Sequence, residues 1–238
     1  MDLTTIAVPH TLSHLAPLLP APGARVLEAG CGRGALAAAL AELGYDVTGV
    51  DRSTEAAAAT RERGVRVIEA DLGDVTGEYD VVLFTRSLHH AENLDEMLAH
   101  AATLLVPGGQ IVIEEFAWER VDRAAAHFLY DNRAMLVATG LFDGEVPDGD
   151  LLDAWVDGHN QLHQGSAMLA ALGRIGSDLI TVSADMLWRL VDGRGGAWNE
   201  PTTHVAGALN AMRDAERRRI AADMLPSVGL YASARKRA

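Results

Sequence analysis

Between residues 25 and 115, short apolar runs alternate with longer stretches rich in alanine and leucine. The runs Arg25 to Ala29, Asp46 to Val50, Arg66 to Ala70, Tyr79 to Phe84 and Gln110 to Glu115 have strand length and strand composition. Between them, Ala35 to Leu43, Thr54 to Arg63 behind a Ser53 cap, and Leu94 to Leu105 carry good helix formers. Pro107, Gly108 and Gly109 are expected to end the last helix and turn the chain into the fifth strand. This alternation predicts the α/β class: βαβ units feeding a mostly parallel sheet with helices on both faces.

After Glu115 the alternation lapses. Asp122 to Leu141, Asp150 to Leu172 and Ala184 to Val191 read as helices, and a substrate cover is expected in this region, residues 116 to 200. Asp178 to Ser183 is a candidate sixth strand. A helix over Val205 to Met224 then leads to a last strand, Val228 to Ala234, within the C-terminal segment 201 to 238. Thr11 to Leu19 reads as a short amphipathic helix before Pro20 and Pro22, a surface helix packed through Leu12, Leu15 and Leu18 in preference to a lid over the cofactor.

A chain of 238 residues with 49% hydrophobic content can bury one sizeable core, so a single domain over 1 to 238 is the simplest expectation. No apolar run approaches the roughly 20 residues that cross a bilayer, and no secretory signal pattern opens the chain, so a cytoplasmic location is expected. The lone Cys31 cannot form an internal disulfide. A net charge of −13 repels phosphate backbones and anionic lipid surfaces, which argues against nucleic-acid and membrane partners. The basic cluster from Arg213 to Arg237 reads as a solvated helix face and tail. The oligomeric state is open, a homodimer included.

Candidate chemistry begins at Glu28-Ala29-Gly30-Cys31-Gly32-Arg33-Gly34, which follows a strand and opens a helix. Glycines there allow positive φ and close approach of a ligand, and the helix start presents N–H donors. The stretch also fits the dinucleotide fingerprint, with Gly30, Gly32 and Ala35 in place, so it does not by itself decide the ligand. Glu28 shifts the balance, because a carboxylate before the turn repels a pyrophosphate but pairs with the ammonium of S-adenosylmethionine. Arg33 pulls the other way. Asp51, ending the second strand, is placed to accept from a ribose diol. Asp71 lies where it can accept from an adenine amino group with Leu72 against the ring, or simply cap a turn.

The segments VLEAGCGRG, GVD ending at Asp51, EADLGD, YDVVLFTRSLHH and LLVPGGQIVIEE resemble the core of class I S-adenosylmethionine-dependent methyltransferases, in particular the small-molecule branch that includes quinone-biosynthesis methyltransferases. The resemblance spans residues 24 to 115. It implies a Rossmann-like seven-stranded sheet with a reversed final strand. It assigns Glu28, Gly30, Gly32 and Gly34 to the methionine moiety, Asp51 with its neighbour Arg52 to the ribose side, and Asp71 with Leu72 to adenine. Thr85 and Arg86 are placed beside the cofactor.

Ligands bind beyond the carboxyl ends of strands in open α/β sheets, which singles out His89, His90, Glu114 and Glu115. Methyl transfer from a sulfonium is an in-line displacement in which the enzyme mainly aligns the nucleophile, with or without a nearby base to take its proton. His90 is the first candidate base and Glu115 the second, with a structural or cofactor-contacting role for His90 weighed equally. Trp155, His159 and His163 are spaced by four on the expected Asp150 to Leu172 helix, so His159 and His163 share a face. They are candidates for substrate contact or packing. Metal binding is not expected, for want of a third ligand at a recognised interval. Trp118 and Tyr130 are further candidate substrate walls, with Phe128, against the common fate of core packing. The reading is methyl transfer to a small organic acceptor, at oxygen or nitrogen. The rivals are a nicotinamide-dependent oxidoreductase, and a protein of the same fold that uses S-adenosylmethionine without transferring methyl.

Overall fold

A computed structural model describes residues 3–192, 196–199 and 202–237. The chain forms two compact units, one built on a sheet (Ala7–Glu115, His163–Val182, Leu230–Ala238) and one mainly helical (Met1–Ile6, Phe116–Leu162, Ser183–Gly229). The substrate-cover region expected at 116 to 200 is therefore interrupted, since residues 163–182 belong with the sheet.

The chain opens with helix α1 (Leu3–Leu15), which starts earlier than the composition suggested and contains Pro9. Strand β1 (Arg25–Ala29) follows. It is buried along most of its length because it sits inside the sheet, with Val26 opposite Val47 on one side and Val81 on the other. Helix α2 (Ala35–Glu42) and β2 (Asp46–Asp51) come next. Then α3 (Thr54–Glu62) starts at Ser53, whose hydroxyl accepts from the Ala56 N–H, and leads to β3 (Arg66–Glu69) and β4 (Tyr79–Thr85). Asn93 caps α4 (Leu94–Thr103) through the Asp95 and Glu96 N–H groups.

Strand β5 (Leu105–Phe116) begins before Pro107-Gly108-Gly109 rather than after it. Tyr79 pairs with Leu105 and Val81 with Gln110, so the proline-glycine segment is an irregularity inside the strand that absorbs the extra residues.

Asp122 caps α5 (Arg123–Ala138), which is followed by the short strand β6 (Phe142–Asp143). The single helix expected over Asp150 to Leu172 is two: α6 (Leu151–His159), capped by Asp150, and α7 (Gly165–Ile175). Strand β7 (Gly176–Ala184) is longer than its predicted core, and α8 (Leu187–Leu190) is a single turn. Strand β8 (Ala197–Trp198) pairs with β6 in antiparallel fashion. Helix α9 (Thr202–Ala221) and β9 (Gly229–Lys236) end the chain.

The seven-stranded sheet has the order β3-β2-β1-β4-β5-β9-β7, with β1 through β5 parallel. Strand β9 runs against its neighbours. Its end lies at the start of β5, where Lys236 Nζ donates to Leu105 O at 2.6 Å, and its beginning lies at the end of β5, where Ala117 N–H donates to Val228 O at 2.8 Å. Arg237 Nε donates to Gly176 O at the start of β7, giving the same sense on the other side.

One face of the sheet is packed by Leu98 and Ala101 of α4, by Leu104 just after it, and by Met168, Ala171 and Leu172 of α7 against Leu27, Val82, Phe84, Ile111 and Ile113. In the helical unit Trp155, Trp188 and Phe142 are among the largest fully buried side chains. Among the described residues no helix is long and apolar enough to cross a membrane.

Candidate cofactor cleft

The turn leaving β1 is held in a left-handed conformation at three positions: Gly30, Gly32 and Gly34 have φ of 73°, 55° and 75°. The N–H groups of Gly30 and Cys31 both donate to Val50 O, at 2.8 and 3.0 Å, which pins the turn to the end of β2. At Gly34 a side chain is excluded by Thr60, whose atoms lie 2.7–2.9 Å from where a Cβ would be. The Thr60 hydroxyl also donates to Gly32 O at 2.9 Å, locking α3 to the turn.

Asp51 closes the other side. One carboxylate oxygen accepts from the Gly32 N–H at 2.9 Å and the other from the Ser53 N–H at 2.9 Å. The side chain is thereby fixed beside the crest of the turn, with lone pairs to spare on both oxygens. Beneath lies Glu28, 1% exposed, which accepts from the Thr85 hydroxyl at 3.0 Å. Cys31 is buried against Gly49, and burial, aided by the Glu28 carboxylate, pushes its thiol up to about 12. It is a packing residue, not a nucleophile.

An open cleft runs along the carboxyl ends of the strands, lined by Gly30, Asp51, Arg52, Asp71, Leu72, Arg86 and His90 among the residues expected there. Glu28, Gly32, Gly34 and Thr85 are not part of the lining but support it. Asp71 lines the cleft, and its Oδ1 accepts from the Gly73 N–H at 3.2 Å, capping a short 3₁₀ turn. Phe84, Ser87 and Met97 also line the cleft; the first two lie in the matching segment YDVVLFTRSLHH without being candidate site residues, and Met97 lies outside any matching segment.

Arg86 adopts φ of 53°, uncommon for a side chain with a Cβ, and its N–H donates to Glu114 O at 2.7 Å. Ser87 Oγ donates to Ala29 O at 2.7 Å, tying the segment after β4 to the end of β1. Glu115, completely buried, accepts from the Leu88 N–H at 2.7 Å through one oxygen and from His89 Nδ1 at 2.6 Å through the other. It is not among the residues lining the cleft. His90, exposed, is in the lining. Glu114, its neighbour on β5, accepts from the Thr11 hydroxyl at 2.8 Å and from the Tyr231 hydroxyl at 2.9 Å, and the His14 ring stacks on Tyr231.

His159 and His163 do not share a helix face, since α6 ends at His159 and α7 begins at Gly165. His163 belongs to the sheet unit, where its N–H donates to His89 O at 3.1 Å and its Nε2–H to Ala91 O at 2.7 Å. His159 ends α6 in the helical unit, stacked on Trp155 at 3.7 Å between centroids and donating from Nδ1 to Trp155 O. Trp118 is nearly buried in the same aromatic cluster: its Nε1 donates to Leu162 O at 3.2 Å and its carbonyl accepts from Trp155 Nε1 at 2.9 Å. Tyr130 lies on α5, and partial burial raises the pKa of its phenol.

The family described as a methyltransferase domain matches residues 7–181. Two relatives are ubiquinone biosynthesis O-methyltransferases. That of Xanthomonas oryzae pv. oryzae (strain PXO99A) is 31% identical over 115 residues, 44% of this chain and 48% of the relative. That of Caulobacter sp. (strain K31) is 38% identical over 104 residues, 40% and 41% of the two chains. The matched segments thus span less than half of these relatives. Among solved structures, a SAM-dependent methyltransferase from Thermotoga maritima superposes with a TM-score of 0.59 at 14% identity, covering 99% of this chain and 92% of that one. Magnesium protoporphyrin IX methyltransferase from Synechocystis PCC 6803, solved with bound SAH, gives 0.55 at 17% identity over 99% and 84%. At these identities the structures speak for the fold, and the family match speaks for the lineage: this chain belongs to the methyltransferase-domain family.

Proposed function

We propose that this chain transfers the methyl group of S-adenosylmethionine to a small organic acceptor, at oxygen or nitrogen. The observation that carries the reading is Asp51, anchored by two backbone N–H groups at the wall of a cleft that also presents Gly30, Asp71 and Leu72. A carboxylate so fixed can accept both hydroxyls of a ribose without reorganising. Leu72, Phe84 and Met97 offer apolar surface for an adenine ring, and Asp71 an acceptor for its amino group. The buried Glu28 suits an ammonium and disfavours a pyrophosphate at the turn. The residues present therefore fit the cofactor, which when bound supplies an electrophilic methyl on its sulfonium.

The residues of the chain then align the acceptor and handle its proton. His90, in the cleft lining, is the proposed base. Glu115 is reassigned from second candidate base to support, since both its oxygens are engaged below the cleft. The name shared by the two relatives favours oxygen as the acceptor atom.

Calorimetric titration with S-adenosylhomocysteine and with NAD tests the reading. Binding of the first and not the second is expected; submicromolar NAD binding with no S-adenosylhomocysteine binding would overturn it. Formation of S-adenosylhomocysteine from the methyl donor with a supplied phenol or amine then separates methyl transfer from a non-transferring use of the cofactor.

A further inference from the structure

The short turn carrying His90 has little rigidity of its own. Leu88–His90 is a single 3₁₀ turn closed by two backbone bonds, His90 N–H to Ser87 O at 3.2 Å and Ala91 N–H to Leu88 O at 3.0 Å. Distant residues add further bonds, and three of those are made by two side chains, Glu115 and His163.

Glu115 is completely buried, and both its oxygens go to this turn. Removing a carboxylate from water costs several kcal/mol, so a fold seeking stability alone would place an apolar residue there. The His89 ring that it orients lies 4.1 Å, centroid to centroid, from the ring of His90. From the other side, His163 ties down the carbonyls of His89 and Ala91, the residues on either side of His90.

We propose that Glu115, His89 and His163 are positioning residues for the methyl-transfer reaction: a brace that fixes the backbone on both sides of His90 and backs its ring, so that the imidazole is presented to the acceptor in one orientation. The proposal rests on the methyltransferase reading for its consequence in turnover, and on geometry alone for its effect on His90. It makes Glu115 the anchor of the base rather than a base. It makes His163 act through hydrogen bonds to the main chain rather than by contact with substrate.

The test uses the full chain and the variants Glu115→Gln, His163→Ala and His163→Gln, with three readouts. These are S-adenosylhomocysteine affinity, kcat and KM with an accepted substrate, and the ¹³Cε1 resonance of His90, assigned by its loss in His90→Ala. Glu115→Gln and His163→Ala are expected to broaden or split the His90 resonance. They are also expected to lower kcat by about tenfold with KM and cofactor affinity held within about threefold. His163→Gln keeps an N–H donor at similar reach, so it restores both signals. An unchanged His90 resonance in both variants overturns the brace, as does a loss of kcat matched by an equal loss of cofactor affinity. Wild-type chain that fails to bind S-adenosylhomocysteine overturns the functional reading instead, while the resonance still judges the brace. If Glu115→Gln does not fold, the His163 pair decides.

Discussion

Gly30 and Ser87 approach so closely that a Cβ on Gly30 would lie 2.7 Å from the Cβ of Ser87. The two come from the ends of β1 and β4, 57 positions apart, and Ser87 is held there by its bond to Ala29 O. Gly30→Ala is therefore expected to meet two penalties: the clash, and about 1–2 kcal/mol for a left-handed backbone with a side chain. Thermal denaturation of Gly30→Ala should show a clear loss. Measured against Ser87→Gly alone, which already lacks the bond to Ala29 O, adding Gly30→Ala should cost less than it does in the wild-type chain, because the clash is gone and the backbone penalty remains. An equal cost in both backgrounds would mean that the contact is not what constrains Gly30.

Asp51→Asn tests the cleft wall. The amide keeps one acceptor but turns a donor toward either the Gly32 or the Ser53 N–H. Loss of a charged acceptor costs about 1.5–3 kcal/mol, so S-adenosylhomocysteine affinity should fall by roughly 10- to 100-fold. Calorimetry reads this without any knowledge of the acceptor.

Cys31, with its thiol pushed up to about 12 chiefly by burial, is almost wholly un-ionised at pH 8. Native protein exposed to iodoacetamide at that pH should retain its mass, and the same protein in denaturant should gain one adduct. Rapid alkylation of the folded chain would contradict the packing described for the glycine turn.

Glu216 on α9 accepts from the N–H groups of Met186, Leu187 and Trp188, at 2.8–2.9 Å. Burial and the nearby Asp185 carboxylate outweigh these donors and push its carboxyl up to about 7, from a usual 4.5. Between those values the folded chain binds more protons at this site than the unfolded one, so the group's stabilisation is complete below about pH 4.5 and is lost as pH rises through 7. The total is on the order of 3 kcal/mol at most. Urea denaturation from pH 5 to 8 should show stability falling with pH, and Glu216→Gln should flatten that slope. Equal slopes in the two proteins would refute the assignment.

The strands of the seven-stranded sheet and the first three helices after β1 were legible because each obeys a local rule: apolar runs of strand length, a serine cap, a glycine turn; the two-residue strands β6 and β8 follow no such rule. What the sequence misplaced depends on partners far along the chain. The break between α6 and α7 carries no proline or glycine. It arises because the N–H of His163, which in a continuous helix would return to His159 O, goes instead to His89 O. Likewise Pro107-Gly108-Gly109 reads as a stop, yet pairing with β4 carries the strand through it. In the cleft, Asp51 and the glycines announced themselves by motif. Ser87 and the support given by Glu115 and His163 did not, since their roles exist only where segments 26 to 74 residues apart meet.

Strand β9 also bears on the order in which the sheet can form. It is the last strand among the described residues but not an edge of the sheet, and among them β7 joins the sheet through it alone. A ribosome releasing this chain exposes β5 and β7 long before the strand that joins them exists, with all of α9 emerging in between. The sheet is thus finished by its most non-local pairings, which form slowly and leave open edges in the meantime. Synthesis truncated before Gly229 should yield a species prone to aggregate, with the glycine turn already complete in sequence but no finished sheet to hold it.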